Sequence, residues 1–495
     1  MLPSPTLKPD SEEPLYRQLF DYVRDLISTS RLRPGDRLPS TRDLAGQLGL
    51  NRTTVSAAYE LLESEGLIRG HVGRGSFVIG LPESREPGLD WEEALQSWDR
   101  TAPPQTPSRG AEGEVISFAS SRPDEHLFPL DEFRATCREV IDSGEAATIL
   151  QLGSPSGYGP LRDYLIEEGR REGVAGSRDD VLVTSGCQQA MDLLQRVLIR
   201  PGDTVLLEDP VYPGARNVFA RAGARLVGIP VGPQGIDLEH LERALASERA
   251  RLLVVTPNFQ NPMGVTLPAT ARRMVVEMAR RARVVLVEND IYGGLRYSGD
   301  PLPTLKELDE TGDTVLLRSF SKVAFPGLRV GWVTGPHALL ARLAEAKQWT
   351  DLHSEQLSQA VLLRFAASGR LAAHRAHILQ AGAEQLNAVL DACGRHLPEG
   401  ARFTRPQGGM NLWVRLPHPL DAGELLARAA MENVTYLPGK YFEVTRHDPG
   451  GLRLSFAGLA PEQIRAGIAI LGRVFMEELE RAKALRHFEP ATAMV

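Results

Sequence analysis

The sequence predicts two folded modules of different class: a small α+β module at the front, and a larger α/β domain that ends in a smaller α+β lobe. Three observations carry this reading. Between residues 11 and 80, two short capped helices flank a glycine-bearing turn and are followed by a strand pair. From residue 115 to about 485, apolar strand-length runs alternate with amphipathic helices, the pattern of a largely parallel sheet covered on both faces. Between the two, residues 82–113 are rich in Pro, Gly, Ser and charge, as in Pro103-Pro104-Gln105-Thr106-Pro107, and read as a linker.

The bulk properties fit this organisation. A chain of 495 residues has room for two or more domains. Its net charge of -7 argues against a polybasic tail. The three cysteines, Cys137, Cys187 and Cys393, are odd in number and far apart. They suit a reducing cytoplasm and give neither a disulfide framework nor a zinc spacing. No charged n-region and apolar h-region open the chain, and the apolar runs are strand-length, so neither a signal peptide nor a membrane span is expected. The expectation is a cytoplasmic protein with no metal and no membrane partner.

In the first module, Leu15–Ser28 reads as an amphipathic helix. Leu32-Arg33-Pro34-Gly35-Asp36-Arg37-Leu38 is a turn and a short extended piece. Ser40 caps a helix over Thr41–Leu48, which Gly49 breaks; Asn51 caps the next, Arg52–Glu65, which Gly66 ends. The stretch Leu67–Ile79 reads as a hairpin around Gly73-Arg74-Gly75. The order is that of a winged helix-turn-helix. A recognition helix presents its N-terminal residues to bases and phosphates, and here those are Arg52, Thr53 and Thr54. Arginine grips guanine bidentately, and threonine hydroxyls suit phosphates. Arg74, at the wing tip, is placed to enter a minor groove. Double-stranded DNA is therefore the expected partner. Within the linker, Trp91, Ala94, Leu95 and Trp98 have the spacing of a short helix.

In the large domain the strand candidates are Val181–Thr184, Thr204–Glu208, Arg225–Ile229, Leu252–Thr256, Val284–Glu288, Thr314–Arg318 and Val330–Thr334, with helices such as Gln188–Leu198 and Ala269–Arg281 between them. Helical periodicity from Gln356, then short strands near Met410–Leu416 and Leu452–Phe456, read as a smaller lobe over about 370–485. Polar groups cluster at the strand ends, where open α/β sheets bind ligands. Ser319-Phe320-Ser321-Lys322 follows one strand, seven residues before Arg329. A Schiff-base lysine needs a pocket in which its amine loses its proton easily, and hydroxyls with an arginine suit a phosphate. Pyridoxal phosphate fits both needs. Ser185-Gly186-Cys187 ends a strand and starts a helix, whose free N–H groups suit the same phosphate. Tyr212 offers a ring to stack on the pyridine, and Asn261 and Tyr292 offer donors to its phenolic oxygen.

These motifs carry two resemblances. Pro34-Gly35-Asp36-Arg37-Leu38-Pro39-Ser40, Asn51-Arg52-Thr53-Thr54-Val55 and Gly73-Arg74-Gly75 resemble a GntR-type winged helix. In that family, DNA contacts come from residues matching Arg42, Arg52, Thr53, Thr54 and Gly73. Asn258-Phe259-Gln260-Asn261-Pro262 and Ser319–Arg329 resemble the fold-type I aminotransferases that use pyridoxal phosphate, in particular the 2-aminoadipate branch. The whole chain is similar to the MocR-type regulators, which fuse the two. The resemblance implies that Lys322 forms the Schiff base, that Ser185, Ser319, Ser321 and Arg329 serve the phosphate, that Tyr212 stacks, and that Asn261 and Tyr292 bind the phenolic oxygen. Arg453 matches the arginine that takes an amino acid's α-carboxylate. It also implies a homodimer and a regulator whose effector is an amine, an amino acid or the cofactor itself. The alternative is a working aminotransferase that carries a DNA-binding domain.

The pattern breaks in three places. The family places an aspartate under the pyridine nitrogen, directly after the glutamate that ends a strand. Here that position is Asn289, and the aspartate comes next, at Asp290. Adjacent strand residues face opposite ways, so Asp290 meets the ring only if the strand has ended or its register slips. If Asn289 meets it, carbanion chemistry is weakened. Leu152 stands where relatives often have a phosphate-binding tyrosine, with Tyr158 nearby as a substitute. Gly214 stands where some such regulators carry an arginine, which leaves Arg122 as the candidate reader of the effector's side chain.

Overall fold

The structure, a computed structural model, describes residues 7–8, 11, 13–29, 31–71, 75–79, 91 and 115–488. It divides into two compact units, one up to Arg100 and one from Thr101.

The first unit holds helices α1 (Leu15–Ser28), α2 (Thr41–Leu48) and α3 (Arg52–Ser64) and the strand pair β1 (Ile68–His71) and β2 (Gly75–Val78). Helix α1 turns Leu19, Phe20, Val23, Leu26 and Ile27 inward at helical spacing. Of these, Leu19, Phe20, Val23 and Ile27 join one core with Leu44 of α2, Val55, Ala58 and Leu62 of α3, Leu67, Ile68 of β1 and Val78 of β2. Each large apolar side chain buried there contributes roughly 1.5–3 kcal/mol. The caps fall where the sequence puts them. Ser40 Oγ accepts from Asp43 N at 3.1 Å, Asn51 Oδ1 accepts from Thr53 N at 3.2 Å, and Gly49 ends α2 at φ +64°, each cap stabilising by about 1 kcal/mol. The strands pair antiparallel from Ile68↔Val78 to His71↔Gly75, and Arg37 bridges to Phe77. The wing-tip residues Gly73 and Arg74 lie outside the described residues, as does the suggested linker helix apart from Trp91.

The second unit opens with β3 (Ile116–Ser117) and is built on an eight-stranded sheet. Its strands are β4 (Asp179–Thr184), β5 (Thr204–Asp209), β6 (Arg225–Gly232), β7 (Gly235–Ile236), β8 (Ala250–Val255), β9 (Val285–Asn289), β10 (Val315–Ser319) and β11 (Gly331–Pro336). They lie in the order β4-β11-β10-β9-β8-β5-β6-β7. From β10 to β6 every pairing is parallel, while β11 runs antiparallel between β4 and β10. Strand β5 is buried along its whole length. Leu207 packs into the core under the helix Cys187–Leu198, and Leu206 into the core under Ala269–Ala282. That two-sided burial explains the run of three apolar residues, Val205-Leu206-Leu207, at its centre. Because β11 is antiparallel, its first residues lie at the same edge of the sheet as the last residues of its neighbours, with Gly331 opposite Ser319.

The smaller lobe packs the long helices Arg370–His396 and Pro461–Phe488 beside a four-stranded antiparallel sheet. Its strands are β12 (Arg402–Phe403), β13 (Asn411–Arg415), β15 (Leu437–Pro438) and β16 (Gly451–Ser455), in the order β12-β13-β16-β15. The remaining strand, β14 (Val434–Thr435), pairs in parallel with β3. The start of the unit is thus stitched to its C-terminal lobe, a pairing no sequence pattern announced.

Candidate functional site

At the C-terminal edge of the large sheet lies a cavity of about 630 Å³. Strands β4, β5, β8, β9 and β10 each end there, so loops distant in sequence deliver their side chains to one place. A larger cleft of about 930 Å³, bordered by Arg402, Trp413 and Arg446, holds none of the residues singled out from the sequence.

Lys322 sits on one 3-10 turn, Phe320–Lys322, directly after β10. Ser319 Oγ fixes that turn by accepting from Ser321 N at 3.0 Å. The Lys322 amine reaches into the cavity, donates to Ser121 O at 2.6 Å and lies 5.8 Å from the centre of the Tyr292 ring. Tyr292 is buried, and its hydroxyl accepts from Asn261 Nδ2 at 3.3 Å. Asn261 Oδ1 in turn accepts from Arg453 Nη1 at 3.1 Å. Arg453 also donates to Ala119 O and lies 5.0 Å over the Phe442 ring. Its Nε is buried without a partner. Among the described residues, no carboxylate stands within ion-pair reach of it. Burial without an opposite charge pulls its guanidinium down to about 10.

On the other side of Lys322, Arg329 approaches the start of the helix Cys187–Leu198. Its guanidinium donates to Ser321 Oγ at 3.4 Å and to Ser185 O at 3.5 Å. Gly186, at φ +83°, precedes that helix. A Cβ there would collide with Arg329 Nη2 and stand 3.1 Å from its Cζ, so any other residue would hold a strained φ and push the guanidinium aside. The Cys187 thiol is not a nucleophile here: burial pushes it up to about 12, and Sγ donates to Arg318 O at 3.3 Å. Its position supplies a backbone N–H. Ser185 and Gly186 shape this corner without lining the cavity, and the Ser185 hydroxyl is paired with Ser354 Oγ at 3.2 Å. Tyr212 borders the cavity across from this corner.

The pairing of Asp290 with Arg318 resolves the choice between Asn289 and Asp290. Asn289 is the last residue of β9 and lines the cavity. Its Nδ2 meets Thr256 Oγ1 at 3.4 Å, and its Oδ1 is buried without a partner. Asp290 points to the far side, where it accepts from Asn258 Nδ2 at 2.8 Å and pairs with Arg318 Nε at 3.2 Å. Asp290 is therefore not a cavity residue, because its carboxylate is tied to a cation on the opposite face. Arg122 is corrected as well: its side chain is exposed and does not line the cavity, while the preceding residue, Ser121, does. Tyr158 does not replace the tyrosine absent at Leu152; it is buried, and its hydroxyl donates to Glu145 Oε2 at 3.2 Å. Gly214 leaves no room for a longer side chain, since Gln188 and the Tyr212 ring fill the space beside it. Sequence reasoning missed Ser121 and Phe442. Both lie in irregular segments where no periodicity marks them.

The cavity suits pyridoxal phosphate on its own chemistry. A lysine amine, an arginine and helix N–H groups in one corner, a tyrosine–asparagine pair in another, and the unpartnered polar atoms of Asn289 and Arg453 match an aldehyde, a phosphate, a phenol and a ligand that brings further polar groups.

In the first unit, Arg52 and Thr53 are exposed and Thr54 half-buried at the start of α3, and Arg42 is exposed in the first turn of α2. That end of α3 is free to meet a polyanion.

Comparison with known proteins gives two family matches. "Bacterial regulatory proteins, gntR family" matches residues 15–78, and "Aminotransferase class I and II" matches residues 114–471. Over nearly the whole chain, the uncharacterized HTH-type transcriptional regulator YdcR of Escherichia coli is 30% identical, covering 94% of this chain and 99% of that protein. The protein named "Probable rhizopine catabolism regulatory protein MocR" of Rhizobium meliloti is 31% identical, covering 96% of each. Among solved structures, the α-aminoadipate aminotransferase LysN of Thermus thermophilus, complexed with N-(5'-phosphopyridoxyl)-L-leucine, has a TM-score of 0.70. It is 36% identical over 74% of this chain and 93% of its own.

Proposed function

Because this chain belongs to the MocR-type regulators, a gntR-family DNA-binding domain joined to an aminotransferase class I and II domain, we propose that it is a pyridoxal phosphate-dependent transcriptional regulator. Its effector is an amine that carries a carboxylate, that is, an amino acid. The observation that carries the effector's class is Arg453. It is buried, has no carboxylate partner among the described residues, and lines the same cavity as the Lys322 amine. A buried cation without a counterion is costly, and an arriving carboxylate relieves that cost through the bidentate geometry arginine favours.

When bound, pyridoxal phosphate supplies an aldehyde carbon that reacts reversibly with amines and a ring that accepts electrons. Lys322 is the amine placed to hold that carbon. Ser321, Arg329 and the N–H groups of the helix Cys187–Leu198 hold the phosphate, with Ser319 buttressing Ser321 through a 2.9 Å hydroxyl contact. Tyr292 and Asn261 donate to the phenolic oxygen, and Tyr212 covers the ring. Asn261 bonds both Tyr292 and Arg453, so a carboxylate that reorients Arg453 disturbs the hydrogen bonds on the cofactor's phenolic side. The effector changes DNA binding only if it prefers one arrangement of the protein over another.

A homodimer in the cytoplasm fits this reading. Trp349 (86%), Leu152 (73%), Leu150 (68%) and Leu352 (59%) stand exposed. Gln356 ties two of these stretches together through Ile149 O and Gln151 O. Among the described residues, no helix is long and apolar enough to cross a membrane.

A second reading, a working aminotransferase, is favoured by the same pairing of Lys322 with Arg453. Mixing the cofactor-loaded chain with common amino acids separates the two. A change in DNA affinity with little conversion to pyridoxamine phosphate supports the regulator. Rapid conversion with unchanged DNA affinity supports the enzyme.

A further inference from the structure

The cofactor cavity has a lopsided charge. The ionisable groups of fixed sign that line it, Lys322, Arg329 and Arg453, are all cations, and no described lining residue is a carboxylate. The nearby acids are all engaged elsewhere. Asp290 faces Arg318 and Asn258. Glu288 accepts from the N–H groups of Leu305 and Lys306 at 2.9 Å each. Glu208 accepts from Thr256 N and Gln260 Nε2. Asp209 accepts from Val444, Thr445 and Arg446. With the aldehyde at Lys322, the phosphate at Arg329 and the phenolic oxygen at Tyr292 and Asn261, Asn289 is the described lining amide that keeps a buried polar atom without a partner, and it stands at the end of β9 for the ring nitrogen. That nitrogen lies across the ring from the aldehyde carbon.

We propose that Asn289 holds the ring nitrogen of the cofactor in its uncharged form, donating a hydrogen bond from its amide where a carboxylate would instead stabilise a pyridinium. The inference rests on the reading of the cavity as a pyridoxal phosphate site. The Asn289 amide meets Thr256 Oγ1 at one end and has a free polar atom at the other. A hydroxyl both donates and accepts. Turned over, the amide presents Nδ2 to the cavity while Oδ1 accepts from the Thr256 hydroxyl, whose other neighbour, the Glu208 carboxyl, is pushed up to about 8 by burial and in its protonated form donates to that hydroxyl. An uncharged amide cannot offset a positive ring, and the three cations around the cavity oppose one. The cofactor keeps a reactive aldehyde carbon and is a weak acceptor of electrons from the ligand's α-carbon. That combination suits recognition of an amine more than its turnover.

The test uses the full-length chain loaded with pyridoxal phosphate labelled with 15N in the ring. The expected 15N resonance is that of an unprotonated pyridine, unchanged between about pH 6 and pH 9. Asn289→Asp should move it to the pyridinium position. A pyridinium resonance in the unaltered chain overturns this inference and leaves the cofactor reading intact. Failure of the chain to take up the cofactor, seen as no visible absorbance after gel filtration, overturns both.

Discussion

Replacing Gly186 with alanine tests the phosphate corner through one atom. Gly186 holds φ +83° and ψ 168°, a region open to glycine and closed to other residues. The new Cβ would also occupy the space of the Arg329 guanidinium. The backbone strain costs about 1–3 kcal/mol of folding stability. Displacing Arg329 removes one charge-assisted hydrogen bond to the phosphate, about 1.5–3 kcal/mol, which lowers cofactor affinity roughly 10- to 150-fold. Titrating the apoprotein with pyridoxal phosphate, read by visible absorbance, measures the affinity, and thermal unfolding without cofactor measures the strain. Gly327→Ala is the control, since nothing lies within 4 Å of its Cβ position and its φ is not positive. It should leave both quantities nearly unchanged. Unaltered cofactor affinity in Gly186→Ala would refute the assignment of this corner to the phosphate.

Other substitutions probe the remaining parts. Arg453→Met should abolish the rise in Tm that amino acids give the loaded protein. Glu208 is pushed up to about 8 by burial, so the folded chain keeps a proton that the unfolded chain releases above about pH 4.5. Stability from that group is present at acid pH and lost as pH rises through 8. Glu208→Gln should therefore raise Tm more at pH 8.5 than at pH 5, and an equal gain at both would contradict the shift. Arg52→Ala should weaken DNA binding by about 1–3 kcal/mol if the side chain reads a base, or flatten the salt dependence by about one unit of slope if it meets a phosphate.

Much of this was legible in the chain because local chemistry decided it. Ser40 and Asn51 start helices through side-chain oxygens that accept from Asp43 N and Thr53 N, and Gly49 ends one at positive φ, so the borders of α2 and α3 could be read residue by residue. Strands buried on both faces, such as β5 and β10, announce themselves by short apolar runs, Val205-Leu206-Leu207 and Val315-Leu316-Leu317. Lys322 stood out because hydroxyls and an arginine surround it within eleven residues. What the sequence withheld depended on partners far along the chain. Alternation says that Asn289 and Asp290 face opposite ways, but not which one faces the cavity. Arg318, one strand away, decides that by pairing with Asp290. The two-residue pairing of β3 with β14 carries no periodic signal at that length. Arg122 looked like a ligand reader from its neighbours, yet the backbone turns Ser121 inward and leaves Arg122 in solvent.

The central claim is that the cavity around Lys322 senses an amino acid and reports it to DNA. Affinity of the full-length, cofactor-loaded chain for its own upstream DNA, measured at fixed salt across a panel of amino acids, tests this most directly. The account predicts that at least one amino acid shifts that affinity, and that Lys322→Ala and Arg453→Met each remove the shift while binding DNA as the unaltered chain does without effector. Identical DNA affinity with every amino acid, together with rapid formation of pyridoxamine phosphate, would contradict it.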